Sequence, residues 1–226
     1  MVGQLIGEGV AGLYVCGSTG EGMSLTGEER RTVAEAFVKA AAGRVPVIVQ
    51  VGHNSIREAA DLAAHAASIG AEVISATAPS YFKIGSVDLL VDCMAEIAGA
   101  AAELPFYYYH IPALTGASLD MVEFLRSAGQ RIPNLAGLKY TAPTAHEYQA
   151  CLQLDGGRFD ILWGCDEMLL SAFAVGARGA VGSTYNIAAP LYRRIIRCAE
   201  AGNWTEASRL QWLSVHMIRT IGRWPF

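Results

Sequence analysis

Lys139 stands near the end of the apolar run Leu135-Ala136-Gly137-Leu138-Lys139-Tyr140. A lysine buried there loses hydration, which favours its neutral form. The neutral amine is the nucleophile that attacks a ketone. Gly137 offers space beside it. Taken alone, the same residue also reads as a strand-end lysine whose head reaches solvent over an apolar stem. A second group is Phe106-Tyr107-Tyr108-Tyr109-His110-Ile111-Pro112. Alternate strand residues face opposite ways, so Tyr107 and Tyr109 share a face, and Tyr108 reads as aromatic core. Tyr109 is the last tyrosine before the loop, where a phenol passes protons to and from a substrate carbon or oxygen.

Three polar loops follow strand-like runs. In Gly17-Ser18-Thr19-Gly20-Glu21-Gly22 the glycines allow a sharp turn, and hydroxyls and N–H groups can face a carboxylate or phosphate. The spacing matches neither GxGxxG nor the Walker pattern, so no nucleotide is implied. An ordinary glycine-rich turn is the alternative. In Gly164-Cys165-Asp166-Glu167 the two carboxylates suit either sugar hydroxyls or the dipole of a following helix. Gly182-Ser183-Thr184-Tyr185-Asn186 is another polar loop.

The elements that must position these residues alternate. Apolar runs at 13–16, 45–51, 73–76, 105–109, 135–140, 159–163 and 180–183 read as buried parallel strands. Between them Thr26 with Glu29, Ser55 with Glu58, and Thr144 with Glu147 fit capping boxes. Gly70 and Gly202 sit where helix C-caps are expected. Alternation at about 30 residues means an α/β fold, either a doubly wound sheet or a (β/α)8 barrel. Seven strands are one short of a closed barrel, and residues 1–9 look like the tail of a helix whose own strand is missing. No Pro/Gly/Ser-rich linker divides the 226 residues, so one domain over 1–226 is expected.

Composition excludes several classes. With 52% hydrophobic and 17% charged residues, the chain is globular rather than disordered. A net charge of −4 without a Lys/Arg run points away from nucleic acid and acidic membranes. No apolar stretch of about 20 residues predicts a membrane span, and Met1-Val2-Gly3-Gln4 is no signal peptide. Five scattered cysteines read as reduced, mostly buried thiols of a cytoplasmic protein, with a catalytic thiol as the alternative. The five histidines show no ligand spacing, so no metal site is expected.

Together GSTGEG, YYYHIPALTG, GLKYT, GCDE and GAVGSTYN resemble, in order and over nearly the whole chain, the N-acetylneuraminate lyase family. That family lies within the wider group that includes dihydrodipicolinate synthase. The resemblance implies a (β/α)8 TIM barrel acting as a class I aldolase. Lys139 forms an imine with the substrate's C2 ketone, and Tyr109 shuttles protons during carbon–carbon cleavage. Ser18 and Thr19, with their backbone amides, hold the pyruvate-end carboxylate. Thr141, Gly164, Asp166, Glu167 and Ser183 grip the sugar tail, and Tyr81 sits at a subunit contact. Sialic acid is the substrate, pyruvate and N-acetylmannosamine the products, with no metal or cofactor, in a homotetramer. Dihydrodipicolinate synthases carry an arginine where this chain has Leu114, and an apolar side chain cannot make that bidentate carboxylate contact. Against the family, the first strand is absent. The helix from Thr205 to about Ile221 is followed only by Gly222-Arg223-Trp224-Pro225-Phe226, so truncation at both ends is expected. The alternatives are an aldolase for another 2-keto-3-deoxy sugar acid, or a catalytically impaired fragment.

Overall fold

A computed structural model of the chain describes residues 1–223; the end of the expected stop, at 224–226, lies outside the described residues. Its sheet has six strands in sequential order: β1 Leu13–Val15, β2 Val47–Gln50, β3 Val73–Thr77, β4 Phe106–His110, β5 Leu135–Tyr140 and β6 Asp160–Trp163. Every neighbouring pair is parallel. Helix α1 (Val2–Gly7) precedes β1, as the sequence of residues 1–9 implied. Then come α2 Gly27–Ala41, α3 Ile56–Ser68, α4 Val87–Gly99, α5 Pro112–Thr115 and α6 Met121–Arg131. Beyond β5 are α7 Ala145–Gln153, α8 Leu169–Ala174, α9 Tyr185–Glu200 and α10 Trp204–Ile221.

The order of elements follows from burial. Parallel strands are covered on both faces, so each is a short apolar run. One face meets the helices: Tyr108 packs against Phe124 of α6, and Tyr140 and Trp163 against Tyr148 of α7. The other face looks inward and carries Tyr107, Tyr109 and Lys139. The sheet curls until its ends approach. Thr19, in the loop after β1, places its hydroxyl 2.5 Å from that of Ser183, beyond β6.

The run at 180–183 is not a strand. Trp163 donates to the Gly179 carbonyl and accepts from Val181, which makes a single parallel bridge at Ala180. Thr184 N–H then turns to the Asp166 carboxylate at 2.7 Å, and the backbone enters α9. A ladder with one partner and a strong acceptor beside it stops after one bridge.

The three expected capping boxes divide. Thr26 and Glu29 form the full reciprocal pair. Ser55 accepts the Glu58 N–H, but the Glu58 carboxylate turns to Arg31. Thr144 caps nothing with its side chain, because Glu147 accepts the Met121 N–H and the Tyr140 hydroxyl instead. Gly70 and Gly202 adopt positive φ just past α3 and α9, as expected. Thr26→Ala is expected to lower stability by about 1 kcal/mol, read as a fall of a few degrees in thermal melting.

Candidate active site

Lys139 stands in the penultimate position of β5, directly opposite Tyr109 of β4 in the ladder. Tyr14, in the middle of β1, comes from the far edge of the sheet. The lysine Nζ lies 3.8 Å from the Tyr109 ring centroid and 4.2 Å from that of Tyr14. The two rings meet edge to face, 5.7 Å apart. Lys139 is 6% exposed, and burial lowers its pKa from the ordinary 10.5 to about 7. The Asp166 carboxylate partly opposes that shift. The lysine is therefore not the solvent-reaching one that its position alone allowed. Aromatic faces on two sides also suit an iminium, which carries the positive charge that the resting amine sheds.

Burial raises the Tyr109 pKa, so its phenol stays protonated at neutral pH. The Ser18 hydroxyl, 3.3 Å from that of Tyr109, favours the phenolate only enough to soften the rise. Tyr14 is pushed up by burial and by Tyr109, against the bond it donates to Ser75 at 2.9 Å. Thr141 continues the line of β5, its N–H on the His110 carbonyl. Its Oγ1 is buried, with no hydrogen-bond partner among the described residues. Gly164 lies against it: a Cβ there would stand 1.9 Å from Thr141 Oγ1.

The glycine-rich loop makes the sharp turn that its sequence implied. Positive φ falls at Cys16 and Glu21, not at a glycine of the motif. The glycines serve close approach instead. A Cβ on Gly22 would lie 1.9 Å from the Cys16 carbonyl oxygen, and one on Gly17 would lie 2.8 Å from the Tyr14 ring. Gly22 and Glu21 N–H groups close the turn onto Gly17 and Ser18, with exposed Ser18 and Thr19 at its tip. Gly137 is likewise not room for the lysine: a Cβ there would meet the Asp160 carbonyl oxygen of β6 at 1.7 Å.

Asp166 is buried and Glu167 exposed, in the turn before α8. The dipole of a following helix does not account for Asp166, whose Oδ2 is spent on the N–H and hydroxyl of Thr184. Burial still raises its pKa. The structure thus gathers Lys139, Tyr109, Ser18, Thr19, Thr141, Gly164, Asp166 and Ser183 around the ends of β1, β4, β5 and β6. Tyr81 stands apart on the loop after β3. Its ring is 78% exposed against Phe82, its N–H donates to Asn54, and Leu114 is exposed on α5. Sequence reasoning passed over Tyr14 and Thr184. The signal for Tyr14 was a single polar-tipped side chain between Leu13 and Val15, just before the loop; that for Thr184 was its place in the polar loop 182–186.

Cys16 and Cys151 are buried and Cys93, Cys165 and Cys198 half-buried, all as free thiols. Burial pushes the Cys165 thiol up to about 12, so it is a poor nucleophile. Among the described residues no three His, Cys, Asp or Glu side chains gather to hold a metal ion, and no helix is long and apolar enough to cross a membrane.

A lysine at the carboxyl end of a strand, inside a sequentially ordered parallel sheet with helices outside, is the site of a TIM-barrel-like enzyme. The chain belongs to the dihydrodipicolinate synthetase family, which it matches over residues 1–221. It is 47% identical over 203 residues to the N-acetylneuraminate lyase of Xenopus tropicalis, covering 89% of this chain and 66% of that protein. Against the Homo sapiens N-acetylneuraminate lyase it is 39% identical over 221 residues, 97% of this chain and 69% of that one. The solved N-acetylneuraminate lyase (sialic acid aldolase) of Aliivibrio salmonicida superposes with a TM-score of 0.96 at 43% identity, over 98% of this chain and 74% of that one. A dihydrodipicolinate synthase of Bacillus anthracis superposes with a TM-score of 0.92 at 26% identity, over 99% of this chain and 75% of that one. The chain therefore spans slightly less than two thirds of the Xenopus tropicalis relative's length.

Proposed function

We propose that this chain carries the Schiff-base site of an N-acetylneuraminate lyase, cleaving sialic acid to pyruvate and N-acetylmannosamine. The observation that carries the reading is the Lys139 amine, 6% exposed, pushed by burial toward its uncharged form and set against Tyr109. The chemistry follows from that amine. Lys139 Nζ adds to the C2 ketone, water leaves, and a protonated imine forms. The C4 hydroxyl gives up its proton as the C3–C4 bond breaks, and the bonding pair flows into the iminium. The aldehyde departs; the enamine takes a proton at C3, and water frees pyruvate from the lysine. Tyr109, held as a phenol, donates its proton to the hydroxyl that leaves as water when the imine forms and recovers one from the C4 hydroxyl as the C3–C4 bond breaks, with Ser18 beside it as a relay.

Ser18 and Thr19, at the tip of their loop, suit the carboxylate end. Thr141, Gly164, Asp166, Glu167 and Ser183 suit a hydroxyl-bearing tail, and Leu114 suits a substrate without a second carboxylate. The reading takes residues 1–226 as one barrel domain in a cytoplasmic homotetramer, with Tyr81 at a subunit contact and without metal or cofactor. Its test is incubation of the purified chain with pyruvate and borohydride, which reduces an imine to a stable adduct. The expected result is a mass increase on Lys139 that is lost in Lys139→Ala, together with pyruvate release from N-acetylneuraminate. A cooperatively melting protein that gains no mass overturns the Schiff-base assignment.

A further inference from the structure

Asp166 is gripped from outside the barrel by a chain of hydroxyls. Its Oδ2 accepts the Thr184 hydroxyl at 2.6 Å. Thr184 Oγ1 lies 2.5 Å from the Tyr192 hydroxyl on α9, which lies 2.8 Å from Ser214 Oγ on α10. Tyr192 is 2% exposed and Ser214 fully buried, so water does not compete at the Tyr192–Ser214 end of the chain. An ionised carboxylate only accepts hydrogen bonds, and that fixes every proton. Thr184 donates to Asp166, Tyr192 to Thr184, and Ser214 to Tyr192. Hydroxyls that all donate in one direction polarise one another, so the last bond is stronger than an isolated one. The backbone is held from the same helix: Gln211 Nε2 donates to the Asp166 carbonyl at 3.2 Å, while its Oε1 accepts the Leu170 N–H at 2.9 Å. On the other side Gly182 presses on the carboxylate so closely that a Cβ would fall 1.5 Å from Oδ1. The chain occupies Oδ2, and no hydrogen bond among the described residues reaches Oδ1.

We infer that Tyr192 and Ser214 are positioning residues for the sugar tail: acting through Thr184, they hold the Asp166 carboxylate in the orientation that receives a substrate hydroxyl. The inference rests on the proposed role of Asp166 as a sugar contact. Neither residue touches substrate, so their loss should leave pyruvate chemistry at Lys139 alone.

The test runs the full chain in the condensation direction, with pyruvate saturating and N-acetylmannosamine varied. Tyr192→Phe keeps the ring that packs on Tyr185 and deletes only the donor. It is expected to raise KM for N-acetylmannosamine by about tenfold, as befits weakening one hydrogen bond to a charged acceptor. Borohydride trapping of pyruvate should stay within about twofold of the parent, well inside the same scale. Tyr192→Phe combined with Ser214→Ala should be no worse than Tyr192→Phe alone, because one acts through the other. Thr184→Ser should keep the parental KM and Thr184→Val should not. A second measurement is independent of turnover: carboxyl NMR should find Asp166 titrating at higher pH in Tyr192→Phe, since a weaker donor favours the charged form less. If Tyr192→Phe fails to fold, Ser214→Ala carries both measurements. Unchanged KM and unchanged Asp166 titration overturn the inference. A parent that forms no imine overturns the aldolase reading, and the Asp166 titration then still decides the hydroxyl chain.

Discussion

Lys139→Met is expected to abolish imine trapping and, in the same variant, to raise the melting temperature, most of all at and below pH 7. The lysine sits where an ammonium is poorly hydrated, and methionine has a similar length with no charge to desolvate. Below pH 7 both the folded and the unfolded chain carry the ammonium, and the folded state bears its whole desolvation cost. Between pH 7 and 10.5 the unfolded chain binds that proton and the folded chain does not, so stability rises with pH across this window. The gap corresponds to on the order of 5 kcal/mol, or about 10–20 °C for a chain of this size. The difference in melting temperature between variant and parent should therefore be largest at pH 6 and shrink toward pH 10; taking the difference removes the other groups that titrate there. Imine formation in the parent should accelerate as pH passes through about 7. A difference that stays flat from pH 6 to 10 would mean that the folded chain hydrates the ammonium, and the amine would lose its claim to be the nucleophile. Such a gain in stability on removing the buried amine is the usual price of a functional group kept where packing alone would not put it.

Local chemistry was legible in the sequence, and partnerships across the fold were not. Apolar runs bounded by turns located β1 to β6, because strands covered on both faces are mostly apolar and show no alternation with polar residues. Their alternation with helices gave the parallel order, and that order carried Lys139, Tyr109 and the loops after β1 and β6 to one end of the sheet. The run at 180–183 misled because apolar composition says nothing about whether a second strand is there to pair with it. Glu147 fitted a capping box by spacing, yet Tyr140 and Met121 compete for its carboxylate from other elements. The same limit hid Tyr14, which reaches the lysine from the opposite edge of the sheet, and Thr184, which is 18 residues from the carboxylate it fixes. The glycines of the first loop read as residues that allow a sharp turn. Their actual constraint is contact distance, which no local pattern encodes.

Gly137→Ala is expected to be the most damaging single methyl group that can be added near the site. Gly137 pairs with Tyr107 on one side and Asp160 on the other, beside a register shift between Phe106 and Tyr107. A Cβ there would stand 1.7 Å from the Asp160 carbonyl oxygen and 2.7 Å from its carbon. Those are backbone atoms, so no side chain can rotate out of the way; β5 and β6 must separate. Separation loosens ladder bonds at the strand that carries Lys139, and at the strand whose end presents Gly164 and Asp166. The cost should exceed about 3 kcal/mol, a fall of at least about 6 °C in melting temperature. Gly99→Ala supplies the control, since a Cβ at Gly99, in the last position of α4, meets nothing within 4 Å. There the smaller entropy of the unfolded alanine chain should leave stability unchanged or higher by up to about 1 kcal/mol. Soluble Gly137→Ala should also trap pyruvate more slowly, because Lys139 and Tyr109 hold their opposition through the same ladder. If Gly137→Ala melts with the parent, the strands part freely at this point, and the facing of Lys139 and Tyr109 is set by the aromatic contacts around the amine rather than by the register of β5.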